Sequence, residues 1–214
     1  MLTTVLTVAV LGFFGMRLVG AARVSLRPPA STFAWRIVAG IRWRHVWPVP
    51  FVLTAVIAMA YALLMIPVLR FGWWAAIGGI GNPVTGGTEQ TTGTALEWLI
   101  PLVFVALLAP SLPLFAHREE ELFRQGCEAW STPKRVGKAV LFGAVHAVIG
   151  IPIGFALALS IGGAYFQWCY LRGYRAHQSQ REGLLESARA HTAYNAVILA
   201  VLLLGLALLA AGVG

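Results

Sequence analysis

The residues able to do chemistry in this chain stand in three short patterns. Glu119, Glu120 and Arg124 follow one apolar run, Phe142 and His146 share a second, and His191 and Asn195 begin a third. A carboxylate takes a proton from water, an imidazole holds that water, and an imidazole or carboxamide N–H stabilises an oxyanion. Converging in a cavity of low dielectric, these groups make a hydrolytic constellation. Residues four apart share one helix face, so Glu120 meets Arg124, Phe142 lies beneath His146, and His191 and Asn195 project together. Three consecutive glutamates spread over roughly 200° of a helix with 3.6 residues per turn, so at least one must turn away. Glu121, with Arg118 and Arg124 each three residues distant, is the one expected to face out. Taken singly, each pattern also has an ordinary reading: a solvated helix end, a packed histidine, a helix start.

The elements that must position these groups are apolar helices. Of 214 residues, 58% are hydrophobic and only 11% charged, and the eight acidic residues are all Glu. That exceeds the apolar share of a soluble domain, so an integral membrane protein is expected. The apolar runs are continuous rather than alternating, which selects helices over a barrel. A charge within such a span costs about 2.5–3.5 kcal/mol on insertion scales and marks a functional-site hypothesis. The net charge of +8 comes from fourteen Arg and two Lys gathered mostly between apolar runs. Cytoplasmic loops carry such an excess, so no nucleic-acid partner is expected. Cys127 and Cys169 form no CxxC pair and are read as structural.

The expected fold class is all-α, a polytopic transmembrane helical bundle of about six spans with one interfacial helix. Met1 to Gly20 is the first span. Five arginines from Arg23 to Arg44, interleaved with Trp35 and Trp43 after a Pro28-Pro29 break and a Ser31/Thr32 cap signal, suit a short interfacial helix. Pro50 to Leu69 is the second span, with Arg70, Trp73 and Trp74 at its far interface. Gly78 to Thr94, with Asn82-Pro83 and Gly86-Gly87, reads as an outer turn. Glu97 to Ala116 is the third span, and Pro113 is expected to open a separate helix carrying the glutamates. Lys134, Arg135 and Lys138 precede Ala139 to Leu171, too long for one span, where Gly150 to Gly154 supplies a turn between two shortish helices. His146 is then about two turns into the first of these. Gly150 and Gly154 also match GxxxG, the weaker reading because of Pro152. Tyr170 to Ala190 is a positive inner connection, and His191 to Val213 is the last span, leaving both termini outside. His45, His117 and His177 are read as surface residues.

Glu119-Glu120-x-x-x-Arg124, Phe142-x-x-x-His146 and His191-x-x-x-Asn195 resemble the ordered motifs EExxxR, FxxxH and HxxxN of the CAAX-protease and bacteriocin-processing (CPBP, or Abi) intramembrane endopeptidases. The resemblance covers residues 97–214 as a catalytic helical core, leaving 1–96 as accessory spans and interfacial segment. It implies an endopeptidase acting on a membrane-associated protein or peptide. Glu119 would be general base on water held with His146, His191 and Asn195 would stabilise the oxyanion, and Glu120 with Arg124 would be supporting, as would Phe142. No cofactor is favoured; if zinc is used, Glu119, His146 and His191 are its ligands. The alternative is a non-catalytic subunit or immunity-type factor retaining the fold. A transporter is disfavoured, because the polar residues cluster on one side rather than lining a path. The expected partners are the lipid bilayer and a substrate peptide. The expected location is the bacterial cytoplasmic membrane, with the active site toward the cytoplasm. The chain departs from the family pattern at Glu186 to Ala190, a polar entry to the third motif that would bring His191 toward the surface.

Overall fold

A computed structural model describes residues 2–80, 82–83 and 87–211. Met1, Gly86 of the expected Gly86-Gly87 turn, and Val213 at the expected end of the last span lie outside the described residues. The protein is 81% helical. Its α-helices are α1 (Leu2–Ser25), α2 (Ala30–Ala39), α3 (Trp43–Val46), α4 (Val49–Leu64), α5 (Trp73–Ala76), α6 (Leu96–Leu108), α7 (Leu112–Arg124), α8 (Thr132–Ala144), α9 (Ile153–Ala158), α10 (Ser160–His177) and α11 (Gln180–Ala210). One small departure from an all-α chain is β1 (Gly79–Ile80) paired antiparallel with β2 (Gly87–Thr88), Gly79 opposite Thr88.

Among the described residues, four helical runs are long and apolar enough to cross a membrane: Leu2–Ser25, Trp43–Leu64, Leu96–Ala129 and Gln180–Ala210. Large apolar side chains stay exposed along them, among them Val8, Met16, Phe51, Tyr61, Val201 and Leu204. Water does not tolerate that much contiguous apolar surface, so these faces are consistent with a membrane protein. The two further spans expected between Ala139 and Leu171 are not among the four. α8 has only 13 residues, and α10 carries Arg172, Arg175 and His177.

Proline and glycine set the breaks. Pro110 lies in a 3-10 turn (Ala109–Ser111), and α7 restarts with Pro113 in its first turn, where a missing N–H costs nothing. α8 likewise starts with Pro133 in its first turn. Lys134, Arg135 and Lys138 therefore lie inside α8 rather than ahead of it. His146 follows in a 3-10 segment (Val145–Ile149), about four turns from Thr132 rather than two. The helix ends at Gly150, whose φ of 93° suits glycine. Gly150 is also close-packed: a Cβ there would lie 2.6 Å from Trp74 Cβ and 2.9 Å from Pro83 Cδ.

Some expectations fail for tertiary reasons. Ser31 and Thr32 sit within the first turn of α2, and no side chain caps it. Trp74 is no interfacial residue but fully buried, its Nε1 donating to Ile80 O at 3.2 Å. His45 is fully buried as well, and its Nδ1 accepts from Arg42 N at 2.9 Å.

The core sits where α11 packs on α10 and α7, and α10 on α8. Val49, Phe142, Phe166, Cys169, Ala190 and Tyr194 form its centre. α4 joins through α9, where Val56, Ala60 and Ala158 meet. Both cysteines are free and buried.

Candidate active site

α7 turns every fourth residue inward: Leu112, Ala116, Glu120 and Arg124 are all buried. The apolar half of that stripe would bury anywhere, but its charged half needs partners. Removing an ion from water costs several kcal/mol, repaid only by well-made hydrogen bonds. Glu120 has them. Its Oε1 accepts from Arg124 Nη1 at 3.2 Å and from His191 Nδ1 at 2.9 Å, and Ser187 Oγ donates to its Oε2. Arg124 Nη2 donates to Gly163 O at 3.3 Å, and its guanidinium lies 4.1 Å from the Phe142 ring centre. Gly163 lets α8 lie close against α10 there, since a Cβ would meet Ala139 O and Phe142 Cδ1 at 3.0 Å.

The same contacts orient His191. Beside an Arg-paired carboxylate its Nδ1 must carry the proton, which leaves Nε2 directed elsewhere, 3.8 Å from Glu119 Oε2. Phe166 stacks on the imidazole at 4.2 Å and 19°, and Phe142 meets it edge-on at 5.6 Å. The ring is buried despite its polar entry. α11 begins at Gln180, with Ser179 Oγ accepting from Glu182 N. Glu186 to Ala190 are therefore helix interior, and His191 lies about three turns in. Glu186 is neutralised there by Arg44 and Arg172, at 3.0 and 2.6 Å, and His45 Nε2 stands 3.1 Å away.

His146 Nδ1 donates to Phe142 O at 2.7 Å. A carbonyl can only accept, so the neutral ring keeps its lone pair on Nε2. His146, His191 and Asn195 line one cavity of about 190 Å³. Glu119 and Asn195 line its neighbour, of about 260 Å³. Asn82, Ile149, Asn195 and Ile198 belong to both walls. The structure thus brings the three helical patterns to one place, with Phe142 touching both imidazoles.

The three glutamates divide by partner rather than by exposure. Glu119 and Glu121 side chains are each 34% exposed. Glu121 is held by Arg118 at 3.1 Å with His117 at 3.9 Å, while Arg124, three residues from Glu121 as well, turns inward to Glu120, the partner its spacing of four suggests. Glu119 Oε2 is buried and has no hydrogen-bond partner among the described residues. His117 is half-buried with Phe33 edge-on at 4.8 Å, and His177 is exposed. Among the described residues no three His, Cys, Asp or Glu side chains group as a metal-ligand set.

Sequence reasoning missed Phe166, Ser187, Gly163 and Asn82. Ser187 carried a signal, standing four residues before His191 and so on the same face. Asn82 carried none: it lies in the loop between α5 and α6, and only the fold brings it to the cavity walls. No protein-family model, no curated protein and no solved structure matches this chain, so the site rests on its own geometry.

Proposed function

We propose that this chain is an intramembrane endopeptidase of the CPBP type, hydrolysing a peptide bond in a membrane-associated protein or peptide. One observation carries the reading: Glu119 keeps a buried, unpartnered carboxylate oxygen 3.8 Å from His191 Nε2, beside cavities lined by His146 and Asn195. A solvated helix end would not leave such an oxygen dry, because an unpaired buried acceptor costs about 1–3 kcal/mol.

The chemistry follows from the groups present. Water hydrogen-bonds to the free Nε2 of His146 and to Glu119. As Glu119 takes its proton, the oxygen bonds to the substrate carbonyl carbon and the carbonyl electrons move onto oxygen. The Asn195 amide N–H donates to that oxyanion, and His191 joins it when its Nε2 is protonated. Collapse returns the electrons, breaks the C–N bond, and the Glu119 carboxyl gives its proton to the leaving amine. Glu120 and Arg124 act by holding His191 in place. The zinc alternative would draw on Glu119, His146 and His191, which do not group as a metal-ligand set among the described residues.

About six crossings form part of the proposal. Thr132 to Ile149 rises about 30 Å as α-helix plus 3-10 turn, which matches a hydrocarbon core of about 30 Å. Its turn is tied to the far end of the α4 run, where Ile153 N donates to Phe71 O at 2.9 Å. The loop charges orient Arg172 to Arg189 toward the cytoplasm of a bacterial inner membrane.

The test is cleavage of candidate membrane peptides by the purified full chain. Glu119→Ala should lower the rate by roughly 10²–10⁴-fold, and Glu121→Ala should leave it near wild type. Equal activity in both variants removes the catalytic assignment, and no cleavage by wild type across the substrate set favours a non-catalytic subunit. Stoichiometric zinc in the purified protein would replace the metal-free mechanism.

A further inference from the structure

A second polar cavity lies away from the glutamate site, where α11 and α10 meet the α3 segment. It has about 180 Å³, several times the roughly 30 Å³ that a water occupies. Arg44, Arg172 and Arg189 line it with His177, Glu182 and Glu186. Three guanidinium groups face two carboxylates, so the wall keeps a positive excess even with His177 neutral.

The hydrogen bonding is more unequal than the charge. Each guanidinium has five N–H donors, and a carboxylate accepts about four bonds. Glu186 already accepts from Arg44 Nη2 at 3.0 Å and from Arg172 Nη2 at 2.6 Å, with Arg44 Nε in ion-pair contact at 3.0 Å. Arg189 Nη1 reaches it only at 3.9 Å, and Arg189 Nε is buried with no hydrogen-bond partner among the described residues. That guanidinium lies so close to Gly40 that a Cβ there would come within 2.2 Å of Nε. The glycine leaves room for a guanidinium with donors to spare: Nε makes no hydrogen bond among the described residues, and Nη1 stands 3.9 Å from its carboxylate.

The surroundings indicate what could use them. Trp43 adjoins Arg44 on α3 and is 75% exposed, and Trp35 and Trp47 are exposed nearby in the chain. Exposed indoles beside arginines mark headgroup depth in a bilayer. At that depth the abundant acceptor with several oxygens is phosphate, which the planar guanidinium fork matches in pairs.

We propose that Arg44, Arg172 and Arg189 form a binding site for a phosphoryl group, supplied by an anionic phospholipid headgroup or by free phosphate. The site is separate from the peptidase reading and does not depend on cleavage.

Native mass spectrometry of the full chain in detergent tests it with three probes: dioleoyl phosphatidylglycerol, dioleoylglycerol and inorganic phosphate. Saturable phosphatidylglycerol binding is expected, with none by dioleoylglycerol. Arg189→Gln or Arg172→Gln should weaken it about tenfold, the loss of one charge-assisted hydrogen bond. Arg70→Gln, at the far end of the α4 run, should leave it unchanged. Should Arg189→Gln lose helicity by circular dichroism, Arg172→Gln decides, since that side chain is one-third exposed. Binding of inorganic phosphate alone with the same arginine dependence identifies free phosphate as the source and also supports the site. Equal binding of dioleoylglycerol, or binding indifferent to both arginines, overturns it.

Discussion

Glu120 gives both oxygens to groups from two other positions, Arg124 on its own helix and His191 with Ser187 on α11. Truncating one member of a buried ion pair leaves the other charge desolvated, which costs about 3–5 kcal/mol. Glu120→Ala should therefore lower unfolding stability by that order in chemical denaturation followed by circular dichroism. Glu121→Ala removes a surface pair and should cost less than about 1 kcal/mol. If the two variants denature together, the buried network is not holding α7 to α11. The within-helix half of this network was legible, because Glu120 and Arg124 stand four apart. The cross-helix half was not: nothing local in α7 says that the carboxylate will meet Ser187, or that His45 will be buried beside Glu186. Spacing singled out Glu121 as the glutamate to face out, yet its exposure equals that of Glu119. What separates them is the Arg118 pair three residues away, which spacing indicated, and the unpartnered Oε2 of Glu119, which it did not.

At the scale of elements, Gly150 and Gly154 do different work. Gly150 needs a left-handed backbone, which costs an L-residue roughly 1–2 kcal/mol, and it also abuts Trp74 and Pro83. Gly154 packs on α4, where a Cβ would stand 3.2 Å from Leu63 Cβ, a contact that a shift of a few tenths of an ångström relieves. Both the turn and the packing reading of this GxxxG thus describe part of the segment. Gly150→Ala should lower the thermal midpoint more than Gly154→Ala, by overpacking of about 1–3 kcal/mol in addition to the backbone term. The reverse order would make helix packing the main role of the pair. The breaks at Gly150 and Pro113 were readable because glycine and proline act on the backbone locally. Trp74, the β1–β2 hairpin and the depth of His146 were not, since each depends on a segment distant in sequence. The polar entry to α11 shows the same limit: Glu186 reads as a surface charge until Arg44 and Arg172 arrive from elsewhere.

For the whole molecule the open quantity is how many times the chain crosses. Composition identified apolar helices, yet among the described residues only four runs satisfy length and hydropathy together, and the segment from Thr132 to His177 is where four and six crossings part. Val148 decides between them. It is 74% exposed, lies just before the Gly150 turn, and its carbonyl accepts from Trp73 Nε1 at 3.1 Å. With six crossings, Val148 shares a side with Glu89 in the β1–β2 loop region, opposite His177. Cys127 and Cys169 are buried, so a membrane-impermeant maleimide should give little background on the native chain. In intact cells Glu89→Cys and Val148→Cys should both label, and His177→Cys only after permeabilisation. Labelling of Val148→Cys together with His177→Cys would mean that the α8–α10 hairpin does not cross. Asn82 gives that outcome mechanistic weight. It lines the cavities of His146 and Glu119 from the same loop region as Glu89, so the side on which Glu89→Cys labels is the side from which that loop covers the site.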